Sequence, residues 1–355
     1  MREDSGLSRF GLTIFTGGRG PRRFRAAADL AQRAEEVGFG AVWTGELYSR
    51  SATVPMAILS AATDRIKIGS DIAYGAGRSP LIWAAEARDL DELSNGRIVL
   101  GLGNGTAGMM RNWLDVDPSA PAVRMEELVT VLRKLWRLHE GPVHHDGRFY
   151  RLHLEPTTAT PAPVREHLPI WTAGVGPRMV RAAGRVADGL VCHPMTTPAY
   201  LNEVIRPELA RGFSDTERSG DDFVVKGMRM CAVDNDEEAA RHRIAFAIGQ
   251  YAASRVYDKL FALHGWDGAQ QRIRAAAKDR DAAALVAAVP DEAVDTIGIA
   301  CRPDELRTRA ATHADTFDHL NLCGPPWGLG PEELEAATDR ILSAMADAPA
   351  DRVTA

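Results

Sequence analysis

The stretch "LSNGRIVLGLGNGTAG" (residues 93–108) decides between two α/β folds. Gly103, Gly105 and Gly108 fit G-x-G-x-x-G, the spacing with which a Rossmann domain brings its backbone close to a dinucleotide pyrophosphate. That fingerprint also needs a first-strand position, a helix directly after it, and an acid at the end of the next strand about 20 residues on. Here "RIVLGLG" (97–103) is the fourth strand-like run, and "MMRNWLDVDPSAPAV" (109–123) holds no strand to carry the acid. The glycines therefore read as a flexible turn at a strand end, where backbone passes close to a flat ligand.

Outward from this turn the chain keeps one rhythm. Short apolar runs at 10–15, 41–46, 66–74, 97–103, 169–175, 188–192, 223–233 and 317–323 alternate with Ala-, Arg- and Glu-rich runs of helical period. Pro21 and Gly38 bracket one helix, and Ser79-Pro80 and Asn95-Gly96 bracket another. Eight β-α pairs with few two-residue hairpin signals imply a parallel sheet closed as a (β/α)8 TIM barrel. We expect a single domain over 1–355, with insertions after strand 4 (about 139–168, read as a loop) and after strand 7 (about 236–290, read as helical). The tail 347–355 is expected to be disordered.

Composition narrows the partners. With 45% hydrophobic and 25% charged residues, the 355-residue chain can bury a large core. A net charge of −6 offers no broad attraction for nucleic acid or an anionic membrane, so a small organic molecule is the expected partner. Cys192, Cys231, Cys301 and Cys323 form no C-x-x-C pair, the N-terminal residues lack a signal-peptide core, and no run reaches the roughly 18 apolar residues of a membrane span. A cytoplasmic protein with reduced cysteines is expected.

A second glycine turn, "WTAGVGPRMVRAAG" (171–184), sets Gly174, Val175, Gly176 and Pro177 between a strand and a helix start, with Arg178 in the first turn. Unpaired N–H groups and the positive helix end make it a candidate phosphate site. Glu46, Asp71, Tyr74, Asn104, Thr106, Trp171, Thr172 and His193 fall near strand ends, where barrel active sites lie. No metal set emerges: His144-His145 has no partner at ligand spacing, and no H-E-x-x-H occurs. Nor is there a P-loop or nucleophile elbow, which leaves redox chemistry with a bound organic cofactor.

Three segments, "AEEVGFGAVWTGE" (34–46), "RSPLIWAAEARDLDELSNGRIVLGLGNG" (78–105) and "LPIWTAGVGPRMVRAAGRVADGLV" (168–191), together resemble the bacterial luciferase-like flavin and coenzyme F420 oxidoreductases. The segment 264–306 strengthens a likeness to the F420-dependent branch, that of the methylenetetrahydromethanopterin reductase-like enzymes. The resemblance implies a barrel, usually homodimeric, with the deazaflavin ring near the strand ends. It places an acid at Glu46, a bulge with a cis peptide behind the ring at Asp71-Ile72, the phosphate on Gly174 to Arg178, and His193 within reach of that phosphate. Leu47 stands where several F420 enzymes have a His, and Thr106 where they have an acid.

The function so implied is hydride transfer between deazaflavin C5 and a small organic substrate. Glu46, Tyr48, Tyr74 and His193 are the candidates to move a proton, and Asn104 and Thr106 join the cofactor-binding set. The alternatives are an FMN-dependent luciferase-like monooxygenase and a noncatalytic flavin-binding protein.

Overall fold

The computed structural model describes residues 8–346. All eight expected strands are present, joined by helices, and the chain has the (β/α)8 TIM-barrel fold. Two compact units, each discontinuous in sequence, make up the chain. The tail 347–355 lies outside the described residues.

One unit holds residues 41–191 and 204–225. Its strands run in the order Ala41–Thr44, Lys67–Ser70, Ile98–Gly103, Ile170–Ala173, Gly189–Val191, each parallel to the next. One face packs as a cluster of Ala41, Trp43, Val99, Trp171 and Val191. Two glycines make room for its large rings. A Cβ on Gly69 would fall 2.2 Å from the Trp43 ring, and one on Gly189 would fall 2.8 Å from the Trp171 ring. With that space the two indoles meet at 5.2 Å between centroids, tilted by 31°.

Helix Pro80–Leu93 follows from its boundary residues. The Ser79 side chain accepts from Ile82 N at 3.3 Å, Pro80 occupies the first turn, and Gly96 (φ 79°) carries the chain away in the left-handed region. The expected strand 66–74 is instead two pieces, Lys67–Ser70 and Ala73–Tyr74, separated by a cis peptide at Asp71–Ile72.

The other unit holds residues 8–40, 192–203 and 226–346 of the described chain. Its strand order is Gly298–Cys301, Val224–Val233 (from Lys226 onward), His319–Cys323, Phe10–Thr13, again all parallel. Gly298–Cys301 was not expected. It is four residues long and follows directly on helix Asp291–Ile297, so its apolar run merges with the helical pattern before it.

The insertion 139–168 is also not all loop. Val143–Asp146 and Arg151–Leu154 pair as an antiparallel hairpin that sets His144 opposite His153. Glu127, on helix Pro121–Trp136, accepts from the backbone N–H groups of Phe149 and Tyr150 and contacts His145 Nε2 at 3.2 Å, which ties the hairpin to the helix.

Candidate active site

In the unit containing residues 41–191, the candidate site grows from the ends of three strands. Just past Ala41–Thr44, Glu46 donates its backbone N–H to Ile72 O at 2.9 Å, and Asp71 donates its own to Thr44 O at 2.9 Å, so the 71–72 bulge is laced to the neighbouring strand end. The Glu46 carboxylate is more heavily engaged. Oε2 accepts from Tyr74 N at 2.8 Å and Arg78 Nη1 at 3.1 Å, while Oε1 accepts from Arg78 Nη2 at 2.6 Å. Arg78 also lies 4.4 Å over the Trp83 ring and 3.3 Å from Glu86. Both Glu46 oxygens are thus occupied by donors, which suits the residue to anchoring the bulge rather than to moving a proton.

Tyr74 is buried beside this pair. Loss of solvent, and secondarily the Glu46 charge, push its phenol up to about 12, so it is a neutral O–H donor throughout the ordinary pH range. Tyr48 is different: it is 75% exposed and meets Trp113 edge-on at 5.3 Å.

The first glycine turn is held by local hydrogen bonds. Thr106 is the cap of helix Ala107–Trp113, its Oγ1 accepting from Met109 N at 3.2 Å, and Asn104 Nδ2 donates to Pro121 O at 2.9 Å. Trp171 belongs to the core cluster with Trp43 rather than to a strand-end pocket, because it lies at the second position of its strand. Thr172, next to it, is fully buried.

The second glycine turn is the candidate anion site. Helix Pro177–Val186 starts at Gly176, no side chain caps it, and a Cβ on Gly176 would meet nothing within 4 Å. At this start Pro177 has no N–H and Met179 N donates to Gly176 O at 3.1 Å, which leaves the Arg178 N–H to meet a ligand oxygen in the open space beside Gly176. Gly174 is the packed member of the turn, its Cβ position 3.1 Å from Val180 N. Arg178 is exposed. Two cavities of about 530 and 610 Å³ in the same unit are lined instead by residues such as Lys67, Ile98, Arg133, Pro169 and Arg218, around the strand starts; of the sequence-predicted site residues they include Trp171 alone.

His193 lies in the other unit. Its Nδ1 accepts from Met195 N at 3.2 Å, so the ring hydrogen sits on Nε2, 3.0 Å from the Tyr257 hydroxyl. Burial holds the imidazole down to about 3, leaving it neutral. Tyr251 stands edge-on to it at 4.6 Å between centroids and to Trp327 at 5.7 Å. Burial raises the phenols of both Tyr251 and Tyr257.

Arg78, Tyr251, Tyr257 and Trp327 were not among the expected site residues. Arg78 could have been suspected as a lone cation in "GAGRSP" between a strand and a helix start, but the tyrosines sit in the 236–290 insertion with no motif around them. Among the described residues no group of three or more His, Cys, Asp and Glu side chains is arranged to hold a metal ion, and no helix is long and apolar enough to cross a membrane.

Comparison with known proteins supplies the family. The sequence pattern of the luciferase-like monooxygenases matches residues 8–319. A putative coenzyme F420-dependent oxidoreductase of Mycobacterium tuberculosis is 28% identical over 305 residues, covering 80% of this chain and 86% of that protein. An F420-dependent glucose-6-phosphate dehydrogenase of Intrasporangium calvum is 30% identical over 245 residues, covering 64% of this chain and 70% of that one. In fold, the chain matches the solved structure of the F420-dependent tetrahydromethanopterin reductase of Methanopyrus kandleri with a TM-score of 0.75, at 22% identity and with 95% and 97% of the two chains covered. The chain belongs to the luciferase-like monooxygenase family and is an oxidoreductase of that family.

Proposed function

We propose that this protein is a coenzyme F420-dependent oxidoreductase that moves a hydride between the deazaflavin and a small organic substrate. The observation that carries the reading is the uncapped, unobstructed turn at Gly176, a cradle for a cofactor phosphate, in a chain similar over four-fifths of its length to a protein named for F420 dependence. When bound, the cofactor supplies a ring carbon that carries hydride.

The chain's own residues then have distinct tasks. Gly174, Val175, Gly176 and Pro177 present backbone to the phosphate, and Arg178 adds positive charge at the helix start. Ile72 packs against the Trp43–Trp171 core cluster and supplies an apolar wall beside Asp71 for a flat ring. Glu46, held by Arg78, fixes the bulge that carries Ile72, which makes both positioning residues. Tyr74 offers a neutral hydroxyl as proton donor, and His193 with Tyr257 forms a second neutral proton-carrying pair within its own unit.

We further propose that the enzyme works as a cytoplasmic homodimer. In support, Val54 on helix Thr53–Ala62 and Leu81 and Ile82 on helix Pro80–Leu93 are exposed apolar side chains for a partner to cover, and the four cysteines are buried and unbridged. Sedimentation that shows a monomer at micromolar concentration sinks the dimer.

Fluorescence titration of the purified protein with F420 and with FMN tests the main reading. Saturable micromolar F420 binding is expected. Binding of FMN alone overturns the proposal in favour of an FMN-dependent monooxygenase, and F420 binding without turnover of any reducible substrate class favours a noncatalytic flavin binder.

A further inference from the structure

The hairpin Val143–Asp146/Arg151–Leu154 brings together two imidazoles that the sequence separates by nine positions. His144 and His153 are directly opposed across the ladder and project from the same face, each about half exposed. Their Nδ1 atoms lie 3.3 Å apart, and their ring centroids 5.3 Å apart.

What stands behind each ring determines which nitrogen carries the hydrogen. Glu155 Oε1 is 3.0 Å from His144 Nε2, and Asp146 Oδ1 is 2.9 Å from His153 Nε2. An ionised carboxylate only accepts, so both Nε2 atoms carry hydrogen, and in the neutral rings both Nδ1 atoms present lone pairs. In the neutral rings two lone pairs then face each other, and either a shared proton or a metal ion between them relieves the repulsion.

The spacing matches one kind of cation. A tetrahedral ion with bonds of about 2.0 Å to two imidazole nitrogens sets those nitrogens about 3.3 Å apart and the ring centroids about 5.2 Å apart. A carboxylate on the far nitrogen of each ligand is also the usual outer support of a histidine–metal bond, since it fixes the tautomer and raises ligand basicity.

We propose that His144 and His153 form an open two-histidine site for a borderline divalent transition metal, zinc or copper, on the exposed face of this hairpin. Glu155 and Asp146 orient the ligands, and water completes the coordination. The site is rigid before the metal arrives because Glu127 ties the hairpin backbone to helix Pro121–Trp136. His145 takes no part: it lies on the opposite face, against Glu127. Two protein ligands and the nearby cations Lys134, which donates to His144 O, and Arg151, which pairs with Asp146, keep the affinity modest. Copper binds more tightly than zinc by the general order of divalent affinities.

Calorimetric titration of the untagged, chelator-treated full chain with zinc at about pH 7.5 tests the site. One zinc per chain with a micromolar dissociation constant is expected. His144→Gln and His153→Gln should each weaken binding more than tenfold, Glu155→Gln about tenfold with both ligands intact, and His242→Gln, at an exposed helical histidine elsewhere, not at all. All of these side chains are on the surface, so the variants keep their fold. Absence of saturable one-to-one binding below about 0.1 mM zinc, or equal binding by the His144→Gln/His153→Gln double variant, overturns the proposal.

Discussion

Arg78 grips Glu46 with two nitrogens, at 2.6 and 3.1 Å, while the Tyr74 N–H holds the same carboxylate at 2.8 Å. The side chains are only 19% and 9% exposed, so removing one partner strands the other's charge away from water. Arg78→Ala is therefore expected to lower the unfolding free energy by about 3 kcal/mol, read by urea denaturation. Glu46→Gln keeps the shape and one acceptor oxygen and should cost less. If Glu46 is an anchor, the Gln variant retains its kcat–pH profile; loss of a basic limb would return Glu46 to the role of proton donor, and loss of an acidic limb would make it a base.

Tyr74→Phe removes only a hydroxyl from a buried ring, so fold and cofactor affinity should hold while kcat falls about 100-fold. With its phenol at about 12, Tyr74 should contribute no limb to the pH–rate profile below pH 10. An unchanged kcat in Tyr74→Phe transfers the proton-donor role to another residue.

Gly176 has φ −85°, which any residue adopts, and open space around its Cβ position. Gly176→Asp should fold as the parent does but set a negative charge against the cofactor phosphate and weaken binding at least tenfold. Gly176→Ala should bind nearly as well as the parent. Equal cofactor affinity in the Asp variant would falsify the assignment of the phosphate to this turn.

His193 and His313 give the fold an acid-side weakness. Burial depresses their folded values to about 3 and about 4, whereas the unfolded chain titrates near 6.5. Between these limits the unfolded state binds more protons, so stability is fully present above about pH 6.5 and falls as pH drops toward 4. At pH 5 each histidine accounts for a loss of about 2 kcal/mol. His313 Nδ1 accepts from Arg229 Nε at 3.0 Å, and a second proton there would oppose two cations. His193→Gln should flatten the pH 7 to 5 dependence of the urea midpoint by about one such share. An unchanged slope would mean that His193 is protonated in the folded state.

Local pattern made the eight strands legible, because buried parallel strands appear as apolar runs and the helices between them carry their own boundary residues. The hairpin escaped because "VHHD" places histidines on both faces and breaks the alternation, which leaves the four alternating residues of "RLHL" without a readable partner. The strand-to-helix turn at Gly176 was legible from its glycines and Pro177. The engagement of Glu46 was not: Arg78 lies 32 positions away, and only the pairing of strand ends brings it there. Two local roles were not legible either: Thr106 caps a helix, and Trp171, second in its strand, packs in the core.

The indole pair Trp43 and Trp171, seated over Gly69 and Gly189, gives this chain an optical gauge of its own interior. Two chromophores held 5.2 Å apart in one asymmetric setting contribute to the near-ultraviolet circular dichroism, a signal that vanishes when side-chain packing loosens while secondary structure persists. A Gly69→Ala chain, forced to move the Trp43 ring, should lose that band while its far-ultraviolet spectrum stays close to the parent's. Core order in this half of the chain can therefore be followed without any attached label.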